Sequence, residues 1–546
     1  MGPHPAPAGS RREMFRDMQV MPACGAGGST YPASARAPNR KFGRRPMGDG
    51  ANRKNTFVWE KIMQLKDKTL FKQQCLINGK WVDAADGATL TITNPADGSV
   101  VGTVPKLTKA QVVEAIEGAQ KAFLEWRKLT PLQRGNILRK WKDLILENLD
   151  DIAVLMTSEQ GKPLAESKGE IGLGNSYIEW FAEEGRRVYG DVIPSPWPGK
   201  QPITIKQPIG VTAAITPWNF PMSMIPRKAA PALAAGCPMI IKPASKTPFT
   251  ALAMGELAMR AGVPAGVLTI LTGQASVIGD ELCANPLVKK ISFTGSTAVG
   301  KQLIAACSQT VKKVSMELGG NAPMIICPDA DIDLAVAGTM GSKFRNAGQT
   351  CICVNRVIVH ESVHDAYVAK LVAKVKEIKL GNGMEQGVTQ GPLVDQNAKN
   401  SMQPFVDDAV AKGAKVAVGG KDSALGGLHY EPTVLTGVTT AMRVFREEIF
   451  GPICPVMTYK TEEEAVALAN DTEYGLASYV FTKDIGSFYR IACGIEYGLV
   501  GVNEVALASG EVPFGGVKES GLGKEGGHQG IEDYVETKYI LLGNLG

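Results

Sequence analysis

The sequence has no apolar run approaching the ~20 residues that a membrane-spanning helix needs, which argues against a helical membrane protein. Its ten cysteines show no regular spacing and no CxxC pair, so neither a disulfide framework nor a zinc site is indicated. Histidine is scarce at five residues. His360 and His364 lie four apart but lack the glutamate of a HExxH site, so they are expected to be surface residues and no metal is expected. A strong charge of one sign is missing as well. Residues 1–62 carry 11 Lys/Arg against 4 Asp/Glu, a net of +7, so the formal +5 of the whole chain leaves about −2 for the remaining 484 residues. A near-neutral body argues against a nucleic-acid partner.

At 546 residues the chain exceeds what one core supports, so two or three domains are expected. Apolar residues make up 44% and charged residues 21%, the balance of an ordinary soluble globular protein. The cysteine usage points to a reducing compartment, which we take as the cytoplasm. Residues 1–62 hold 15 Gly or Pro and little periodicity, which predicts a disordered leader. Arg11, Arg12, Arg16, Arg40, Arg44 and Arg45 resemble a transit peptide for the mitochondrial matrix, but the Gly/Pro content opposes the amphipathic helix such a peptide needs. We favour the alternative, a non-native or upstream start with Met63 opening the folded protein.

LINGKWVDA (76–84) and TLTITNPADGSVVGTVP (89–105) read as short strands split by turn residues. Thr108 with Gln111 makes a capping box ahead of Val112, Ile116, Ala119 and Phe123 at helical spacing. Thr130 and Pro131 open a second helix, whose inner face is Ile137, Leu138, Trp141, Leu144 and Ile145. From about residue 209, continuous apolar strands (GVTAAI, PMIIK, VLTIL, VKKISF) alternate with helices over 228–235, 252–261 and 297–307. That rhythm predicts an α/β fold with a parallel sheet covered on both faces. Ligands of such sheets bind at the carboxyl ends of the strands, which selects Thr216–Asn219, Lys242–Ser245, Thr272–Gly273 and Thr294–Ser296. A second α/β pattern follows Gly319, with APMIIC, VNRVIV and a helix from His364 to Ile378, and runs to about residue 509. The terminal DYVETKYILLGNLG alternates like an edge strand, a liability unless it joins a partner sheet, so an oligomer is expected.

Chemistry centres on KFRNAGQTCICVNR (343–356). Cys351 ends a polar, glycine-containing loop between a helix-like run (Ile332, Val336, Met340, Phe344) and a strand, where it is either exposed to a cleft or an ordinary structural thiol. A nucleophilic thiol needs a base and an oxyanion donor. Glu317, alone among apolar residues in VSMELGG, is either a desolvated base or a satisfied acid at a domain junction. Asn219, held between prolines in PWNFP, is either the donor or a turn residue. Two other motifs are set aside. GSTAVGK (295–301) has P-loop spacing, but Gln302 stands where magnesium needs Ser or Thr; its helix N-terminus can still hold a phosphate oxygen. Gly521, Gly523 and Gly526 spell GxGxxG with only 20 residues after them, too few for the helix, strand and acidic partner of a dinucleotide site, so a turn is expected.

PWNFP (217–221), IKPAS (241–245), FTGS (293–296), MELGGNAP (316–323), GQTC (348–351), EIFGP (448–452) and PFGG (513–516) resemble the ordered motif set of the aldehyde dehydrogenase superfamily. The resemblance spans roughly residues 70–542. Lys343–Arg345, Cys353 and the ILLG tail bring it nearest to the succinate-semialdehyde dehydrogenases of the NADP-preferring bacterial type. It implies an aldehyde dehydrogenase fold: a Rossmann-like cofactor-binding domain (63–184 and 205–315), an α/β catalytic domain (316–510), and a β-strand oligomerisation element (185–204 with 530–546) in a homodimer or homotetramer.

The same resemblance implies that Cys351 attacks an aldehyde to give a thiohemiacetal, that Asn219 and the Cys351 N–H hold the oxyanion, and that hydride transfer to a nicotinamide leaves a thioester. Glu317 would activate the water that releases the acid. Thr216, Pro217, Trp218, Lys242, Ser245, Gly295, Ser296, Glu448 and Phe450 would bind the cofactor. Serine rather than glutamate at 245, with Lys242 nearby, leaves room and positive charge for a 2′-phosphate, so NADP is expected to be preferred and NAD accepted. Arg345, Arg187 and Ser509 would hold the far carboxylate of succinate semialdehyde. The alternatives are another aldehyde, such as glutarate semialdehyde or an aromatic one, and a catalytically silent α/β binding protein. Cys353 is either an inert neighbour or a redox partner of Cys351, the tight spacing requiring loop movement.

Overall fold

The computed structural model describes residues 64–544; the expectations for the leader and for Met63 lie outside the described residues. Asn78 and Gly79, at φ of 52° and 73°, turn β1 (Cys75–Ile77) into β2 (Lys80–Val82), the two-residue loop that Asn-Gly favours. β3 (Thr89–Thr93) and β4 (Val100–Pro105) form a separate hairpin. Capping boxes open both α1 (Lys109–Trp126) and α2 (Pro131–Glu147), at Thr108–Gln111 and Thr130–Gln133. Trp126 and Trp141 are fully buried, yet each indole N–H finds a carbonyl, Leu233 O at 3.1 Å and Met254 O at 3.0 Å. α3 (Leu149–Gln160) and α4 (Leu164–Glu184) complete this layer.

After β5 (Lys200–Pro208) the expected alternation follows: β6 (Val211–Ile215), α5 (Pro226–Ala235), β7 (Met239–Lys242), α6 (Phe249–Ala261), β8 (Leu268–Ile270), α7 (Ala275–Ala284), β9 (Val288–Thr294), α8 (Thr297–Cys307) and β10 (Lys313–Glu317). Strands β10, β9, β6, β7 and β8 run parallel in that spatial order. Antiparallel edges close the sheet, β1 and β2 on one side and β18 (Gly521–Leu522) on the other. The expected domain division at 315/316 therefore cuts through β10. This sheet continues to Glu317 and borrows a strand from near the C-terminus.

The second sheet contains β11 (Ala322–Ile326), β12 (Val354–His360), β13 (Lys415–Val418), β14 (Thr433–Thr436), β15 (Ile453–Tyr459), β16 (Ala477–Phe481) and β17 (Leu499–Val502). Its order is β13-β14-β15-β12-β11-β16-β17, all parallel except β13. α9 (Ile332–Lys343) and α10 (His364–Val375) pack against each other beside it.

The terminal strand is not alone. β19 (Val535–Gly543) pairs antiparallel with β5 over its whole length, from Val535–Pro208 to Gly543–Lys200. Its partner lies in the same chain, and the ribbon reaches Pro208, beyond the expected 204. Val192, Trp197 and Tyr539 leave apolar surface exposed on and beside this ribbon. Among the described residues no helix is long and apolar enough to cross a membrane, and no cluster of His, Cys, Asp and Glu could hold a metal. Gly523 and Gly526 stand at φ of 82° and 74° in the turns after β18.

Candidate active site

The carboxyl ends of the first sheet's strands and the amino ends of the second sheet's strands face one cleft, and the chain between α9 and β12 delivers Cys351 to it. Leaving α9, three consecutive residues adopt the left-handed conformation: Asn346 (φ 50°), Ala347 (φ 54°) and Gly348 (φ 74°). A Cβ on Gly348 would lie 2.1 Å from Gly451 O, so only glycine fits there. The two non-glycine residues cost roughly 1–2 kcal/mol each, and a dense hydrogen-bond set offsets this. Asn346 N–H donates to Glu166 Oε2 (2.9 Å), Gln160 Nε2 donates to Asn346 Oδ1 (2.9 Å), and Asn346 Nδ2 donates to Asn219 O (3.0 Å).

Cys351 is shared by two cavities. One, of 220 Å³, is lined by Pro217, Trp218, Thr294, Ser296, Glu448 and Phe450 among others. The other is narrow, 30 Å³, with Phe220, Arg227, Arg345, Ala508 and Phe514 in its wall. A wider groove of 850 Å³ runs between α9 and α10 and touches the narrow cavity's wall at Arg345; it contains no nucleophile. Burial pushes the Cys351 thiol up to about 12, with Arg227 pulling the other way and Glu448 and Glu317 adding to the rise. The resting thiol is therefore neutral.

Asn219 is buried beside it. Its Nδ2 donates to Gln349 O at 3.0 Å, tying this loop to the nucleophile's loop. An amide nitrogen carries two N–H bonds, so the second is left without a protein acceptor among the described residues. Glu317 ends β10 at 2% exposure, and neither carboxylate oxygen has a hydrogen-bond partner. Burial raises its pKa well above the carboxylate range, Glu525 raises it further, and Lys228, Arg227 and Lys524 oppose. Cys351 and Asn219 thus line one cleft, and the buried Glu317 carboxyl lies close enough to act electrostatically on the thiol.

The 220 Å³ cleft presents aromatic faces and polar groups to a ligand that extends beyond it. The Thr294 hydroxyl lining it is buried without a partner. Ser296 caps α8 at its mouth, leaving helix N–H groups for an anion. Gly295 and Gly319 line it too, and a Cβ on Gly319 would come within 2.9 Å of Glu448 Oε2. Glu448 accepts from Gly320 N–H at 2.9 Å and is pushed up to about 7 by burial. Trp218 and Phe450 meet edge-to-face at 5.6 Å. Thr216 and Lys242 end the neighbouring strands β6 and β7, joined by Thr216 N–H to Lys242 O at 3.1 Å. Burial pulls the Lys242 ammonium down to about 8. Ser245 lies exposed beyond it, its hydroxyl 3.5 Å from Gly273 O.

Of the three residues expected to grip a substrate carboxylate, only Arg345 lines the narrow cavity. Its guanidinium stacks over Phe220 at 5.1 Å and makes no ion pair among the described residues. Arg187 lies elsewhere: it is half-exposed and bonded to Glu184 Oε2 at 2.9 Å across the turn ending α4. Ser509 is adjacent to the cavity through Ala508, but its hydroxyl is bonded to the Glu511 carboxylate. Cys353 lines neither cavity; it is buried, with its thiol on Gly348 O at 3.3 Å and the Lys343 ammonium 3.9 Å away.

The structure adds Arg227, Lys228 and Glu525. Lys228 Nζ donates to Ser292 Oγ (3.0 Å) and is paired with Glu525. Arg227 is buried against the Phe514 ring at 4.1 Å and the Tyr177 ring at 4.9 Å, and its Nε and Nη1 lack hydrogen-bond partners. The available signal was two adjacent cations opening an otherwise apolar helix, PRKAAPALAA.

Comparison with known proteins identifies the family. Residues 81–540 match the model of the aldehyde dehydrogenase family. A glutarate-semialdehyde dehydrogenase from Pseudomonas aeruginosa is 55% identical over 483 residues, covering 88% of this chain and 100% of the relative. The succinate-semialdehyde dehydrogenase [NADP(+)] of Escherichia coli K12 is 53% identical over 481 residues, with the same coverage of 88% and 100%. The crystal structure of an aldehyde dehydrogenase from Brucella melitensis biovar abortus superposes with a TM-score of 0.87 at 56% identity, covering 88% of this chain and 100% of that one. Thiol, amide and buried carboxylate thus stand in a chain matched almost end to end over its described residues, and that chain belongs to the aldehyde dehydrogenase family.

Proposed function

We propose that this enzyme oxidises succinate semialdehyde to succinate, preferring NADP and accepting NAD. The observation that carries the substrate class is the pair of cations, Arg345 and Arg227, in the wall of the narrow cavity beside Cys351. Arg227 already lies 3.6 Å from the Glu525 carboxylate, so the Arg345 guanidinium, which makes no ion pair among the described residues, is the one set to receive a carboxylate through paired N–H donors. The narrow wall of Phe220, Phe514 and Leu173 favours a slender, unbranched chain over a bulky one.

In this reading Cys351 Sγ adds to the aldehyde carbon while the thiol proton passes to a solvent water. The oxygen becomes an anion held by the free Asn219 N–H and the Cys351 N–H, a donor of this kind contributing about 3 kcal/mol. The nicotinamide cofactor supplies the hydride acceptor when bound in the cleft of Trp218, Ser296, Glu448 and Phe450. Cys351 then carries the acyl group, and Glu317 takes a proton from the water that releases it. Lys242 and Ser245 are assigned to the adenosine ribose, and their lack of an acid favours the 2′-phosphate.

Glutarate semialdehyde is the second reading, supported by the 55% identity to the Pseudomonas aeruginosa enzyme. The ratio of kcat/KM for the four- and five-carbon semialdehydes, each with NADP and NAD, decides. A five-carbon preference of tenfold or more would overturn the first reading, and a strong NAD preference the cofactor assignment. The β5–β19 ribbon, with its exposed Val192, Trp197 and Tyr539, is the oligomerisation element in this proposal. Light scattering would show a homodimer or homotetramer.

A further inference from the structure

Outside the reacting groups, one fully buried ion pair stands against the loop that carries Asn219. Lys162 and Glu170 are both completely buried and bonded to each other. Each also spends its remaining capacity on the backbone of residues 219–223. Lys162 Nζ donates to Asn219 O at 2.7 Å and sits 4.0 Å over the Phe220 ring. Glu170 Oε1 accepts from Met222 N–H at 2.8 Å and from Ser223 N–H at 3.1 Å. The Asn219 carbonyl receives a second donor, Asn346 Nδ2, at 3.0 Å. The loop's other hydrogen-bond anchor in this region is the Asn219 side chain itself, through Gln349 O at 3.0 Å.

A buried ion pair is weak evidence for stability, because desolvation offsets its Coulomb attraction. Here its placement has a geometric consequence. The carbonyl of residue 219 and the N–H groups of residues 222 and 223 are fixed from the same pair, on either side of Pro221. That leaves the Asn219 side chain one orientation relative to Cys351.

We infer that Lys162 and Glu170 are positioning residues for the oxyanion amide, clamping the 219–223 backbone so that Asn219 Nδ2 stays aimed at the nucleophile's cleft. The inference rests on the oxyanion role proposed for Asn219.

The test is a double-mutant cycle on the full-length enzyme. Removing one charge strands the other and threatens folding, so the first variant neutralises both, Lys162→Met with Glu170→Gln. The isosteric Glu170→Gln alone is the second, and either one that folds carries the test. Each is made with and without Asn219→Ala. Rates are measured with succinate semialdehyde and NADP, and the Kd for NADPH by fluorescence. The expected result is a fall in kcat of roughly 10- to 100-fold with Asn219 present, the range that a small misplacement of a catalytic group produces. In the Asn219→Ala background the further loss should be less than about threefold, and the Kd for NADPH should stay within about twofold throughout. Equal losses in both backgrounds, or full kcat in a folded neutral variant, overturn the positioning role and leave the oxyanion assignment standing. An Asn219→Ala enzyme with undiminished kcat overturns the oxyanion assignment, and the clamp's purpose with it.

Discussion

Arg345→Ala separates substrate recognition from catalysis. Arg345 stands six residues before Cys351 on the turn after α9, stacks on the Phe220 ring and makes no ion pair among the described residues. A hydrogen bond to a charged group contributes about 1.5–3 kcal/mol, and a tenfold change in binding corresponds to about 1.4 kcal/mol. Arg345 is half-buried rather than sealed, and Arg227 remains in the same wall. The lower end of the range therefore applies, and KM for succinate semialdehyde should rise roughly tenfold. An uncharged aldehyde of equal length, butanal, has no carboxylate to lose and should change less than about twofold. Folding should be nearly untouched, since the cation–π contact is worth about 0.5–1 kcal/mol at a partly exposed site. Initial rates with both aldehydes at saturating NADP give the two kcat/KM ratios. Equal losses for the two would refute the anchor and make Arg345 a structural residue of the loop.

Four further outcomes follow from the site. Glu317 must be ionised to accept a proton and burial holds its pKa well above the carboxylate range, so kcat should climb with pH along a limb above that range, and Glu317→Gln should lower kcat and remove the limb. Ser245→Glu places a carboxylate where the 2′-phosphate is assigned, and the NADP/NAD ratio of kcat/KM should fall at least tenfold. Ala347 stands at φ 54°; Ala347→Gly relieves that strain and should raise stability by about 1 kcal/mol in urea unfolding, whereas a destabilised variant would show the turn to be unstrained. Cys353 can reach Cys351 only by leaving the Gly348 carbonyl; after brief peroxide treatment, thiol reductant should restore wild type more fully than Cys353→Ala, and identical recovery would make Cys353 inert.

The elements and the placement of Asn219, Glu317 and Cys351 in them were legible because their signals are local. Asn219 follows the end of β6 between two prolines, Glu317 closes β10, and Cys351 sits in the connection between α9 and β12. In each case one strand end and its next few residues decide where the side chain goes. Of the cations, Arg345 was legible by its nearness to Cys351 in the chain, whereas Arg187 and Arg227 were not. Arg187 lies beside a recognisable motif, but an i,i+3 contact to Glu184 holds it at the surface end of α4. Arg227 looked like part of an apolar helix and is brought to the cavity by the packing of α5 against α4. Long-range pairing caused the other differences. The partner of β19 is more than three hundred residues upstream, and β18 joins a sheet whose other strands all precede residue 318.

Charge placement separates the site from the folding core. The large apolar clusters contain Trp126, Trp141 and many of the leucines and isoleucines. The buried charged groups that touch the cleft or its loops, Lys162, Glu170, Arg227, Lys228, Glu317 and Glu525, instead gather beneath residues 219–223 and 345–351. Desolvating each of these groups costs several kcal/mol before pairing, and well-packed apolar residues would often serve stability as well or better. The left-handed run at 346–348 adds strain at the same place. Strain and buried charge meeting at one loop junction are poorly explained by folding and well explained by a need to hold two side chains in register. In the proposed mechanism the amide of Asn219 meets an anion that forms only when Cys351 adds to a carbonyl, so small errors in either loop would cost rate rather than stability. That is why the sharpest readout of these groups is kcat, and why stability alone would undervalue them.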